Sequence, residues 1–215
     1  MIECPSCGRR QEPRLVCESC STPLGVELDC FAALGLPNKL AIEPGALERV
    51  YHDLSRQIHP DRFAQAPVRA RDASLRSTAL LTRSYRTLRD PITRGRYWLE
   101  MRGEKLSDDN KQVPPEIADM VFEIQEQLSD LREAIRIDPA TAQPVADELE
   151  NRRVIVVGCL NNYEIALRGN FLLWDLGRSN AKELAIELKL ILSNIAYLRT
   201  LLRDVDFGLS NLRAA

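Results

Sequence analysis

One proline sets the architecture of the first half of the chain. In Gln57-Ile58-His59-Pro60-Asp61-Arg62-Phe63, Pro60 has no backbone N–H and pushes His59 out of the helical region. A helix arriving from the N-terminal side must therefore stop there. One does arrive: Leu47, Val50, Tyr51, Leu54 and Ile58 recur at three- and four-residue steps, which puts them on one helical face. Past the loop, Ala73, Leu80, Leu81, Tyr85 and Leu88 keep a similar spacing. Helices are expected over 44–58 and 65–88, folded back on each other as an antiparallel hairpin. A short apolar helix over 28–36, closed by Gly35 and Pro37, precedes the pair. Asp90-Pro91 reads as an N-cap followed by proline in the first turn, opening a helix from Ile92 to Met101 that ends at Gly103.

The N-terminal 25 residues follow a different logic. They hold Cys4-Pro-Ser-Cys7-Gly8 and Cys17-Glu-Ser-Cys20, two Cys-x-x-Cys pairs that can close a tetrahedral tetrathiolate zinc site. Gly8 can adopt the positive φ such a knuckle often needs. The segment is too small and polar to fold by burial alone, so metal would supply its stability. Two disulfides, a redox Cys-x-x-Cys and a nucleic-acid-binding ribbon are the alternatives, and the spacing alone does not separate zinc from iron. Cys30 and Cys159 lack partners at ligand spacing and are expected to be buried apolar residues.

Composition narrows the class. With 45% hydrophobic and 28% charged residues over 215 positions, the chain is globular and long enough for two cores. No apolar run reaches the roughly 18 residues of a membrane span. The start, Met1-Ile2-Glu3-Cys4, shows no basic segment followed by an apolar core, so a cytoplasmic location is expected, where clustered thiols favour metal over disulfide. Residues 28–103 carry 13 basic against 8 acidic side chains, residues 104–215 carry 13 against 19, and such asymmetry suggests two different partners. The acidic second half and the absence of a basic, aromatic-studded patch argue against nucleic acid. With two histidines in all, no glycine-rich phosphate loop and no nucleophile placed beside His59, an enzyme is not expected.

After Gly103 a polar connection, Glu104 to Val113, leads into Pro114-Pro115 and marks a domain boundary. Three long helical patterns follow. Ile117, Val121, Ile124, Leu128, Leu131 and Ile135 form a heptad seam that Asp138-Pro139 stops. Leu149, Val156, Leu160, Tyr163, Leu167, Phe171 and Trp174 mark a second helix over about 140–176. Gly177 ends it and Ser179 can cap a third, over 180–206, with Leu184, Leu188, Ile191, Ile195, Leu198, Leu202 and Val205 as its seam. Three such helices joined by short turns make an antiparallel bundle.

Two antiparallel helices joined at a His-Pro-Asp loop resemble a J-domain. Four stretches narrow the resemblance to the HscB co-chaperones of iron–sulfur cluster assembly: Asp29–Leu36, Tyr51–Phe63, Ser84–Pro91 and Arg94–Gly103. Together with the bundle, the likeness covers residues 28–207. The cysteine segment is similar to an added tetracysteine zinc module found in a subset of the family, some of whose members are organellar and carry a targeting leader. Thr82 and Arg83 depart from the asparagine-containing stretch common before the Ala/Ser-Tyr pair, and the bundle matches in register more than in identity. The expected fold is mainly α: a zinc-knuckle module over 1–25, a J-domain over 28–103, a linker over 104–114 and a three-helix bundle over 115–207.

The resemblance implies a co-chaperone, not an enzyme, that docks on a DnaK/HscA-type ATPase chaperone and stimulates its hydrolysis of ATP. His59, Pro60 and Asp61 would make the contact, with Tyr51, Arg49, Arg56 and Arg62 on or beside the preceding helix forming a basic docking surface. Structural zinc would sit on Cys4, Cys7, Cys17 and Cys20. The bundle would hold an IscU-type cluster scaffold protein. Phe122 lies about 100° off the buried seam, next to Glu123 and near Met120 and Glu126, and is a candidate anchor for that client. Ile191 is a second candidate, although it also belongs to the seam of the last helix. A general J-domain co-chaperone serving another client is the alternative.

Overall fold

The computed structural model describes residues 1–104, 106, 113–138 and 141–214, with side chains up to Leu212. The chain divides into two units, Met1–Tyr97 and Trp98–Ala215. In the first, strands β1 (Ile2–Glu3) and β2 (Arg10–Gln11) pair antiparallel, Ile2 opposite Gln11 and Glu3 opposite Arg10. Helices α1 (Cys30–Ala33), α2 (Pro44–Ile58), α3 (Val68–Arg89) and α4 (Pro91–Glu100) follow.

Local chemistry explains the ends of these helices. The Asp29 carboxylate accepts from the backbone N–H groups of Phe31 and Ala32 and starts α1. Glu43 starts α2 in the same way, accepting from Gly45 and Ala46, and those amides hold its carboxyl below the usual carboxylate range. Asp90 caps α4 through the Ile92 amide at 2.8 Å. Beyond Pro60 the chain makes one 3-10 turn, Pro60–Phe63, and α3 begins three residues later than expected, at Val68. Pro67, which has no N–H to give, stands immediately before its first turn.

The hairpin core holds the expected Leu47, Ile58, Ala73, Leu80, Leu81 and Leu88. It also holds Ser74, Ser77 and Ser84, none of which reaches solvent. Tyr51 of α2 stacks on Tyr85 of α3 with ring centroids 4.2 Å apart. The buried Arg94 of α4 ties the unit together. Its guanidinium donates to the carbonyls of Leu88 (2.7 Å) and Arg89 (3.4 Å) at the end of α3, and to Leu40 (2.6 Å) between α1 and α2. The first two are carbonyls that a helix C-terminus leaves without intrahelical partners, at the negative end of its dipole. Three residues on, the Tyr97 hydroxyl accepts from the Cys30 amide at the start of α1.

The second unit contains Trp98, Arg102 and the bundle helices α5 (Ala118–Ile137), α6 (Gln143–Asp175) and α7 (Ala181–Ala214). Trp98 is buried, meets Trp174 edge-on at 5.2 Å, and carries the Arg102 guanidinium 3.8 Å above its ring. Most of the expected linker, residues 105 and 107–112, lies outside the described residues, as does Pro139. A 3-10 turn, Pro115–Ile117, leads into α5. Arg153 of α6 pairs with Asp206 of α7, and Glu164 with Arg199, so the numbers fall along one helix as they rise along the other: α6 and α7 are antiparallel.

Four details differ from the sequence reading. The cap of α7 is Asn180, not Ser179: its side-chain oxygen accepts from Lys182 and Glu183, and Glu183 accepts from Asn180 in return. The helix runs on past 206 because Val205 and Leu209 continue its buried stripe. That stripe is also broader than one seam. Since α7 packs on both α5 and α6, Ala185, Leu192 and Leu201 are buried too, while Leu202 is only half-buried. Cys159, expected in the core, is half-buried on α6.

Replacing Arg94 by alanine leaves buried carbonyls short of their donor. Arg94→Ala is expected to destabilise the first unit by roughly 2–4 kcal/mol, read as a lower thermal midpoint. An unchanged midpoint would show that the carbonyls find other partners.

Candidate functional site

The two Cys-x-x-Cys pairs fold as matching knuckles. In the first, the Cys4 amide donates to the Arg9 carbonyl and the Gly8 amide to the Cys4 carbonyl, both at 2.9 Å; in the second, Cys17 to Thr22 and Ser21 to Cys17 repeat the pattern at the same distance. The residue after each second cysteine takes positive φ, +71° at Gly8 as the sequence suggested and +56° at Ser21, where a side chain makes that conformation costlier. All four sulfurs lie within 4.8 Å of one another, with Cys4–Cys20 at 3.6 Å and Cys7–Cys17 at 3.7 Å. A tetrahedral tetrathiolate with metal–sulfur bonds near 2.3 Å has sulfur–sulfur edges of about 3.8 Å, so the cluster has the dimensions of a metal site.

Its electrostatics point the same way. The Thr22 hydroxyl, 3.2 Å from the Cys20 sulfur, and the Thr22 amide lower the Cys20 thiol to about 6. The Arg9 amide favours the Cys7 thiolate, yet desolvation and the three neighbouring thiols outweigh it and push Cys7 up to about 12. Four thiols this close cannot all ionise by themselves; a bound cation removes the conflict. Cys4, Cys7, Cys17 and Cys20 could hold a metal ion.

The α2–α3 loop presents His59 and Asp61. The His59 Nδ1 lies 3.3 Å from the Asp61 amide and 3.5 Å from an Asp61 carboxylate oxygen. Both side chains are exposed. The backbone beneath them is tied down. The Ser74 hydroxyl donates to the Ile58 carbonyl at 2.6 Å, Thr78 approaches the same oxygen at 3.4 Å, and the Arg62 guanidinium donates to the Arg56 carbonyl at 3.0 Å. Arg62 thus caps α2 as well as offering charge. Arg56 pairs with Asp53, Arg49 reaches Glu43 at 3.8 Å, and Tyr51 is half-buried against Tyr85.

On the bundle, Phe122 is 72% exposed. Beside it Glu123 pairs with Arg152 of α6 at 2.8 Å, Glu126 is exposed and Met120 is half-buried. Ile191 is different. At 4% exposure it is a core residue of α7 and offers no docking area, so it stays out of any client surface.

Over 127 residues the chain is 34% identical to the co-chaperone protein HscB homolog of Bordetella pertussis, a match that covers 59% of this chain and 72% of that protein. The chain belongs to the HscB co-chaperone family. The HscB homolog of Aromatoleum aromaticum is 40% identical over 80 residues, covering 37% of this chain and 45% of the relative. The crystal structure of human co-chaperone protein HscB matches with a TM-score of 0.67 and 20% identity, covering 96% of this chain and 98% of the human one. HscB from Vibrio cholerae matches with a TM-score of 0.53 and 22% identity, covering 80% and 96%. At those identities the likeness is one of fold, and it agrees with a mainly α HscB architecture; the four-cysteine cluster is read from this chain's own geometry. No family model matches the chain.

Sequence reading missed a buried stripe of α3 whose first member, Ser74, holds this HscB-family loop from behind. Ser74, Ser77, Leu81, Ser84 and Leu88 step by 3, 4, 3 and 4, a buried helical stripe that an apolar-only search passes over because three of its members are serines. The geometry of the thiols predicts one metal ion per chain, bound by four thiolates. Elemental analysis of freshly purified protein is the check, and protein free of metal would show that the thiols cluster for another reason.

Proposed function

We propose that this chain docks on a DnaK/HscA-type ATPase chaperone through the His59-Pro60-Asp61 loop, stimulates its ATP hydrolysis, and brings to it an IscU-type iron–sulfur cluster scaffold protein held on the terminal bundle. The observation that carries the reading is the loop. Two exposed polar side chains stand on a backbone that Pro60, Ser74 and Arg62 restrain, so docking would cost little ordering entropy. The bond-breaking chemistry belongs to the partner. Arg49, Arg56 and Arg62, with Tyr51 between α2 and α3, add a basic face suited to an acidic partner and act mainly on encounter rate and register.

For the client, Phe122 supports the reading. A large aromatic side chain that the bundle core leaves exposed, flanked by Glu123 and Glu126 and close to Met120, has the make-up of an interface anchor with a charged rim. In this division of labour residues 28–103 work as the J-domain, 104–114 as the connection and 115–207 as the client-binding domain. The metal we assign is zinc, which suits a closed tetrathiolate with a structural role; iron in the same thiolates would colour the protein.

His59→Gln is expected to abolish ATPase stimulation in a steady-state assay while circular dichroism and thermal midpoint stay those of the parent, since His59 is exposed and the contacts altered are those with the neighbouring Asp61. Stimulation retained by that variant would overturn the chaperone half of the proposal. Phe122→Ala is expected to weaken scaffold binding by about tenfold or more, the size of effect an interface anchor carries. An unchanged dissociation constant by calorimetry would remove Phe122 from the interface.

A further inference from the structure

One turn of α3, Ala73–Ser77, is held by two segments. The Ser74 hydroxyl holds the Ile58 carbonyl, the last residue of α2 before the His59-Pro60-Asp61 loop. Next to it lies the connector leaving the tetracysteine module. There the Gly25 amide donates to the buried Ser77 hydroxyl at 3.2 Å. Gly25 sits at φ +60°, and a Cβ placed on it would come 2.9 Å from the Ala73 Cα and 3.1 Å from its Cβ, so the connector backbone lies directly against the helix. Leu24, its neighbour, packs against the buried metal-ligand candidates Cys4 and Cys17, with Ile2 and Val26 alongside. This is a continuous path of contacts: cysteine cluster, Leu24, Gly25, the Ala73–Ser77 turn, Ser74, the Ile58 carbonyl, the loop.

The path is tight at Gly25 and looser elsewhere. Along α1 and α2 the module leaves a cleft of about 560 Å³, lined in part by Leu15, Val16, Leu34, Val50 and Leu54. The module's own apolar cluster is small, and two of its five members are cysteines of the metal site. Without the metal such a cluster has little to hold it together, and Leu24 and Gly25 are released with it.

We propose that the metal-loaded tetracysteine module is a buttress for the His59-Pro60-Asp61 loop, with Gly25 and Ser77 as positioning residues that transmit the support through one turn of α3. Removing the metal, or breaking the Gly25–Ser77 contact with the metal retained, loosens the loop while leaving the bundle unaffected. The consequence for chaperone stimulation rests on the function proposed above; the mechanical link does not.

Hydrogen exchange of the full-length protein, followed by mass spectrometry in metal-loaded and chelated forms, tests the link without any chaperone. The amides of Arg62 and Ala64, bonded to the His59 and Asp61 carbonyls, report on the loop. They are expected to exchange about tenfold faster after chelation, the change that loss of one net hydrogen bond of local stability produces, while α5–α7 exchange as before. Gly25→Ala wedges the connector away from Ala73 and keeps every cysteine. It is expected to retain one metal per chain and to show the same faster loop exchange. Ser77→Ala removes the acceptor by itself and is expected to give a smaller acceleration in the same direction, should the wedge also dislodge metal. Loop protection unchanged by chelation, or unchanged in Ser77→Ala with metal retained, overturns the buttress. ATPase stimulation measured on the same samples separates the two ideas. Metal-loaded parent protein that stimulates no DnaK-type chaperone overturns the proposed function, and the exchange comparison still decides the buttress.

Discussion

The structure of the first unit depends on how the end of α2 is satisfied. A helix stopped by proline ends with carbonyls that have lost their intrahelical donors, and here the last of them, on Ile58, is buried. An unmet buried carbonyl would cost on the order of 1–3 kcal/mol. The Ser74 hydroxyl removes that cost from α3, and Arg62 donates to the exposed Arg56 carbonyl two residues back. Both donors reach across the loop, so satisfying the helix end also fixes the loop's path. The exposed His59 and Asp61 add their own local bonds to a path that Ser74 and Arg62 hold.

A similar economy appears at the opposite end of α3. Arg94 supplies the donors that Leu88 and Arg89 lack and extends the same guanidinium to Leu40. A buried arginine is tolerated because its N–H groups face carbonyls, including those at the negative end of a helix dipole. α3 therefore has its neighbours anchored at both ends, and its small buried residues, Ala73, Ser74, Ser77 and Ser84, let other segments come close along its length. Gly25 exploits that closeness.

The bundle is held differently. Its helices bury aliphatic stripes, and α7, which contacts both partners, buries two parallel rows. At Gly208 a Cβ would lie 2.8 Å from the Leu128 Cδ2, so the lack of a side chain there lets α7 approach α5. With the core filled in this way, Phe122 is left outside it. Exposure of an aromatic residue on an otherwise well-buried helix is a statement about surface, and it separates Phe122 from Ile191, which the sequence had offered together.

Much of this was legible from residues alone. Pro60 ends a helix through its missing donor wherever it stands, heptad spacing makes amphipathic helices, and two Cys-x-x-Cys pairs bring four thiols together; these effects are local, so the number and order of helices and the metal-ligand set follow from the sequence. What depended on partners far along the chain did not. Whether Ser74 and Ser77 face solvent or a carbonyl and an amide 16 and 52 residues away, whether Cys159 is core, whether Asn180 or Ser179 caps α7, and whether α7 buries one row or two are decided by which surfaces meet. A serine carries no apolar signal, and only the tertiary structure supplies the acceptor or donor that makes its burial favourable. The His-Pro-Asp loop was visible in the sequence as a break in a helix; the contacts that hold it in place came from the fold.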